Sequence, residues 1–217
     1  MNPLLIACDF DGTITQRDTL HVIVEEFGDL ALWDEIEPRL RSGAMNVEQA
    51  LQAEFDSVRV DVADVHRVVA EHAPVRPGFR DFVEWATAAG HQVLVCSNGF
   101  RSVIEPVLAG QGLDLELVAN DARFDRSGTT IIWDDRGTRC ELCDRPCKRG
   151  PMREYANGRR IAMIGDGISD RCGSGIADIV FARAGLAEDL AAQGREFFPF
   201  NDFHDVRAGF ARLEDDA

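Results

Sequence analysis

Four short apolar runs punctuate the chain: LLIAC at 4–8, QVLVCS at 92–97, RIAMIG at 160–165 and DIVFA at 178–182. Their bodies are continuously apolar, not alternating, which is the pattern of strands covered on both faces in a parallel sheet. Between them the period changes. From Gly78 to Ala89, Phe79, Phe82, Val83 and Ala86 recur at helical spacing, Arg80, Asp81 and Glu84 take the other side, and Gly90 ends the pattern. Repetition of strand, helix and strand predicts an α/β fold, a doubly wound parallel sheet whose ligands gather beyond the carboxyl ends of the strands.

Two segments break that rhythm. The stretch from Gln16 to Pro77 carries helical patterns and no convincing strand, with turn signals at SGAMN (42–46) and APVRP (73–77). It predicts a helical cap over 16–76, inserted after the first strand of a core formed by 1–15 and 77–217. In the second segment, ARFDRSGTTIIWDD, the tripeptide RSG separates two β-prone runs as a short hairpin, and a cysteine-bearing loop follows. No internal repeat or low-complexity tract is present.

Charge narrows the partners. Asp and Glu outnumber Lys and Arg by 38 to 23 in 217 residues, and a net charge of -15 repels polyanions, which argues against nucleic acid and membrane surfaces. No apolar run is long enough to span a bilayer. The run ending at Cys8 is too short for a signal segment and leads straight into Asp9. A cytoplasmic setting is expected, in which six cysteines read as thiols or metal ligands before they read as a disulfide framework.

The chemistry sits at the strand ends. DFDGT follows the first apolar run, and if the strand continues, Asp9 and Asp11 face one side while Phe10 packs inward. Two carboxylates so close call for a divalent cation or a shared proton, and hard oxygen ligands suit Mg²⁺. A calcium loop fails, because its sixth and twelfth positions would be Ile14 and Leu20. GDGISD brings Asp166 and Asp170 to a second strand end, VCSNG brings Ser97 to a third, and Lys148 lies in a loop before a helix. Carboxylates for a metal, a hydroxyl and backbone N–H groups for phosphate oxygens, and a cation together form the set that phosphoryl transfer requires.

In this order, DxDGT, SNG, Lys148 and GDGxSD resemble the haloacid dehalogenase superfamily, in its phosphoserine-phosphatase-like branch. The resemblance implies a Rossmann-like core and a small-molecule phosphate ester as partner. It implies Asp9 as nucleophile and Asp11 as general acid and base, with Mg²⁺ held by Asp9, the Asp11 carbonyl and Asp166 and supported by Asp170. Thr13, Ser97, Asn98 and Lys148 would bind the phosphoryl group, with Gly12 and Gly99 letting the backbone approach it. Asp11 favours phosphatase over dehalogenase chemistry, since the dehalogenases lack the second aspartate.

Specificity residues imply a narrower reading. Asp18 stands where phosphoserine phosphatases carry an amine-binding glutamate, and Glu54 falls near their carboxylate-binding arginine, a reversal of charge that disfavours phosphoserine. DFDGTIT with Asp18, the pattern Asn120, Ala122, Phe124, Asp125 and Trp133, the cysteine loop ending in Cys147 and Lys148, and the stretch 181–206 resemble the methionine-salvage members of the branch. The departures are Asn98 in the serine motif, a loop with fewer cysteines, and a cap matched only at its start. Cys140, Cys143 and Cys147 supply three ligands of a structural Zn²⁺ site, with Cys172 a distant fourth candidate; reduced thiols or a disulfide are the alternatives. His21 reads as a helix-surface residue and Arg101 as a solvated one. A receiver-like phosphoacceptor module is the rival class, opposed by the position of Asp9 in the first strand and by the insert. The choice between monomer and homodimer is open.

Overall fold

In the computed structural model, which describes residues 2–134, 140–144 and 147–215, the four apolar runs form β1 (Leu5–Cys8), β2 (Gln92–Phe100), β5 (Ile161–Gly165) and β6 (Ile179–Ala182). With β3 (Glu116–Asp125), β4 (Gly128–Ile132) and β7 (Phe198–Pro199) they make a seven-stranded sheet in the order β4-β3-β2-β1-β5-β6-β7. Every neighbouring pair is parallel except β3 and β4, which form the hairpin expected around RSG. β7 was not legible: Phe198–Pro199 sits at the sheet edge, the one place where a proline without an N–H is tolerated.

β1 is central and wholly buried, and its side chains divide between two cores. Leu4, Ile6 and Cys8 join the aromatic layer of Phe79 and Phe82 from α5 (Phe79–Ala88) and Phe203 and Phe210 from α10 (Phe203–Asp215). Leu5 and Ala7 point the other way, onto Met152 of α7 (Arg149–Ala156). Burial on both faces is why the run is apolar at every position. The remaining core helices are α6 (Arg101–Gly110), α8 (Arg171–Ser174) and α9 (Ala184–Ala192).

Between β1 and α5 the chain forms α1 (Thr19–Phe27), α2 (Leu30–Arg41), α3 (Val47–Phe55) and α4 (Val62–His72). Polar residues start three of them: Asp18 caps α1, Asp29 caps α2, and Asn46 with Gln49 forms a capping box on α3. Their apolar faces enclose Phe55, Val24 and Val65 and extend onto Phe100, Val103 and Phe124 of the core. The segment leaves and rejoins the core at one point, where Thr15 pairs antiparallel with Val75 and the Gln16 amide donates to the Pro74 carbonyl at 2.9 Å.

Arg76 locks that junction. Its buried guanidinium donates to the carbonyls of Thr13, Gly12, Thr15 and Asn201 at 2.9 to 3.0 Å. Replacement by Met keeps the packing stem and removes four hydrogen bonds, stranding the Thr13, Thr15 and Asn201 carbonyls while Gly12 keeps Arg183; each charged hydrogen bond is worth about 1.5–3 kcal/mol. We expect Arg76→Met to lower unfolding stability by about 3 kcal/mol or more in urea titrations; a change under about 0.5 kcal/mol would show that water replaces the guanidinium there.

Candidate active site

Register gathers the site. Cys8 pairs with Val95 of β2 and with Ile164 of β5, so the residues just beyond these three positions, Ser97 to Gly99 still within β2, emerge side by side. Asp9, Asp11, Ser97, Asn98, Gly99 and Asp166 all line one cavity of about 380 Å³, which Asp18 and Glu54 from the helical segment also line. The route differs from strand alternation. β1 ends at Cys8, and the chain winds through a tight turn in which Gly12 has φ 74°. The Asp11 carboxylate accepts hydrogen bonds from the Thr19 amide at 3.2 Å, the Thr19 hydroxyl, and Ser97 Oγ at 3.0 Å.

Lys148, only 1% exposed, stands at the start of α7 with its Nζ 2.5 Å from Asp9 Oδ1 and 2.7 Å from Asp170 Oδ1. Burial alone would pull its pKa down, but the Asp170 and Asp9 carboxylates outweigh that and hold it above the ordinary lysine range. Asp170 is also held by backbone: its second oxygen accepts the Asp166 and Gly167 amides, both at 3.0 Å. Carboxylate oxygens of Asp9, Asp166 and Asp170 lie within 4.8 Å of one another. An Mg²⁺ octahedron with bonds of about 2.1 Å spans about 3 Å along an edge and about 4 Å across, so hard oxygen ligands this near one another need only a small contraction to hold it. One ammonium among three carboxylates leaves an excess of negative charge. Burial, then Asp170, accordingly pushes the Asp166 carboxyl up to about 6, and burial foremost raises Asp9 and Asp11.

Other expected residues have specific duties. Thr13 is fully buried and gives its hydroxyl to Asp166 Oδ1 at 3.1 Å; it is absent from the cavity wall, so it supports a carboxylate where a phosphate contact was expected. Gly12 and Gly99 are required by carboxylates: a Cβ at Gly12 would lie 2.4 Å from Asp166 Oδ2, and one at Gly99 2.6 Å from Asp11 Oδ2. Arg101 is engaged with Glu105 and the Leu117 carbonyl, away from the cavity, and His21 packs edge-on against Trp33. Sequence reasoning missed Arg76 and Arg183, which both donate to the Gly12 carbonyl, and Thr19, which holds Asp11. An arginine donating to carbonyls has no local signature, whereas a threonine directly after the capping Asp18 could have drawn attention. The Sγ atoms of Cys140, Cys143, Cys147 and Cys172 come within 4.8 Å of one another.

Asp18 and Glu54 carry raised pKa values. Asp18 accepts from the Leu20 amide at 2.8 Å and the His21 amide at 3.1 Å, yet burial, then Asp11, pushes its carboxyl up to about 8. Glu54, 5% exposed on α3, is pushed up to about 7 by burial and then by Glu37.

A model of haloacid dehalogenase-like hydrolases matches residues 6–173, and the chain belongs to that family. It is similar to the 2-hydroxy-3-keto-5-methylthiopentenyl-1-phosphate phosphatase of Brevibacillus brevis, with 33% identity covering 94% of this chain and 93% of the relative. The enzyme of the same name from Bacillus velezensis is 27% identical over 96% of this chain and 90% of its own. In fold, the chain resembles a phosphoserine phosphatase solved as a phospho-aspartyl intermediate analogue (TM-score 0.74, 18% identity, covering 96% and 99% of the two chains). A phosphoserine phosphatase from T. onnurineus gives 0.68 at 21% identity, covering 94% and 92%.

The Asp18 carboxyl predicts a pH slope. An unfolded aspartate titrates near about 3.9, whereas the folded group holds its proton to about 8. Between these values the native state binds the extra proton, so stability is fully present below the unfolded pKa and is lost as pH rises towards 8. Asp18→Asn keeps a capping oxygen for Leu20 and His21 and removes the titration. Urea midpoints measured in EDTA should fall from pH 5 to pH 8 in the wild type and fall less in the variant. Parallel slopes would assign the loss to other groups.

Proposed function

We propose that the chain is a Mg²⁺-dependent phosphomonoesterase that works through an aspartyl phosphate on Asp9. The observation that carries this reading is the buried Lys148 between Asp9 and Asp170, with Asp166 alongside and Asp11 on the same cavity wall. A carboxylate oxygen of Asp9 attacks phosphorus, and the bond from phosphorus to the ester oxygen breaks. Asp11, whose carboxyl burial keeps protonated more readily, gives its proton to the leaving alkoxide and afterwards takes one from the water that cleaves the acyl phosphate. Thr19 and Ser97 hold Asp11 in place through both steps. Lys148 offsets charge on Asp9 and on the transferring group. When bound among Asp9, Asp166 and Asp170, magnesium supplies further neutralisation of phosphate charge. A structural zinc ion on Cys140, Cys143 and Cys147 and a cytoplasmic setting belong to the same reading.

The substrate we propose is the methionine-salvage ester named for the relatives, or a close analogue. Leu20, Trp33, Leu40, Val47 and Leu51 give the cavity an apolar wall suited to a short methylthio-alkyl chain. Residues 16–76 act as a cap that selects this tail. Glu54 and Glu37 line the same cavity, and their acidic character disfavours a substrate with a free carboxylate, the more so as pH rises past about 7. That charge argument outweighs the fold likeness to phosphoserine phosphatases.

Phosphate release from an aryl phosphate should vanish in EDTA and return with Mg²⁺. Asp9→Asn should lower it by at least about a thousandfold with circular dichroism unchanged; turnover surviving that change would reject the covalent route. In a panel of metabolite phosphates, the methylthio ester should exceed phosphoserine, and Glu54→Gln should raise kcat/KM for phosphoserine by about tenfold. Preference for phosphoserine in the wild type would overturn the substrate assignment.

A further inference from the structure

We infer that Cys172 closes a four-thiolate zinc site with Cys140, Cys143 and Cys147, and that the ion clamps the two chain segments carrying Lys148 and Asp170. The inference goes beyond the phosphatase reading, because metal content and ligand number are read without any turnover.

Three of the thiols come from one loop, where CxxC spacing brings two together by chain geometry. The fourth belongs to α8, a separate element, and nothing in local sequence obliges it to point at the loop. Yet all four Sγ atoms lie within 4.8 Å of one another. A tetrahedral ion with Zn–S bonds of about 2.3 Å requires sulfur to sulfur distances of about 3.8 Å, a contraction that small side-chain rotations supply. A single disulfide would join two of the sulfurs and leave the other two without a reason to converge.

The backbone around Cys140 is folded as a metal-binding turn. The Leu142 amide points at Cys140 Sγ at 3.4 Å, and the Asp144 amide donates to the Cys140 carbonyl at 2.8 Å. Asp144 itself adopts φ 54°, a left-handed conformation. Four thiolates on a divalent ion carry net negative charge, and Arg149 extends a guanidinium N–H to within 3.8 Å of Cys140 Sγ. Such outer donors are what thiolate metal sites use to hold their ligands. Cys143, Cys147 and Cys172 also line a cavity of about 500 Å³, which provides an entry path.

Position gives the site its consequence. Cys147 directly precedes Lys148, and Cys172 follows Asp170 by two residues. The proposed ion thus fastens both ends of the buried ion pair from outside the cavity.

The test uses the full chain purified under reducing conditions, stripped with chelator and reconstituted with Zn²⁺ or Co²⁺. Metal analysis after dialysis should give one zinc per chain. The cobalt form should show the intense sulfur-to-metal charge-transfer absorption and visible bands of tetrahedral thiolate coordination. Cys172→Ser should weaken zinc retention by at least about tenfold and reduce the charge-transfer intensity, and Cys172→His should restore retention. If Cys172→Ser fails to fold, the wild-type cobalt spectrum decides. No zinc retained by the reduced wild type, no thiolate charge transfer, or an unchanged spectrum in a folded Cys172→Ser would each overturn the site. Phosphatase activity in a chain that binds no zinc rejects this inference alone; zinc binding without phosphatase activity rejects only the catalytic reading.

Discussion

An ammonium buried between two carboxylates is the constraint from which the rest of this molecule follows. Taking Lys148, Asp9 and Asp170 out of water costs several kcal/mol for each ion, and only close contact with well-aligned partners offsets it. Deleting one member leaves the others uncompensated, typically a loss of 3–5 kcal/mol. The surrounding structure is arranged to prevent that loss. Backbone amides of Asp166 and Gly167 occupy the free oxygen of Asp170, and Gly165 lacks the Cβ that would otherwise strike the Asp170 carboxyl group at 2.5 Å. The same low-dielectric setting strengthens every charge interaction at the cavity floor.

Much of this was legible in the chain because two periodicities do not overlap. Continuously apolar runs of only four to six residues suit strands covered twice, and β1 fulfils that by sending Ile6 and Ala7 to opposite cores. The four polar clusters were legible because each follows such a run or precedes a helix, positions where an α/β sheet gathers ligands. The direction of individual side chains was not legible. Asp11 was expected to continue the strand alternation with Asp9, but β1 ends at Cys8 and the Asp11 carboxylate is held by Thr19 and Ser97. Thr13 was expected on a phosphate and is spent on Asp166, a partner distant in sequence. Arg76 and Arg183 were invisible for the same reason: their acceptors are backbone carbonyls, which every residue possesses.

The helical segment divides the work differently. It contributes no residue to the ion pair, yet it supplies the apolar wall and the acidic pair Glu37 and Glu54 that face the cavity. Strand register therefore sets where Asp9, Ser97 and Asp166 emerge, while the helical segment contributes the apolar and acidic side of the cavity wall.

The seam at Thr15 and Val75 carries a consequence for threading. Because the excursion departs and returns through adjacent backbone positions, its length and contents do not alter how the sheet is threaded. Thr19, at the start of the excursion, nonetheless reaches back to Asp11, so the threading of the sheet is insensitive to the helices while the setting of that one carboxylate is not.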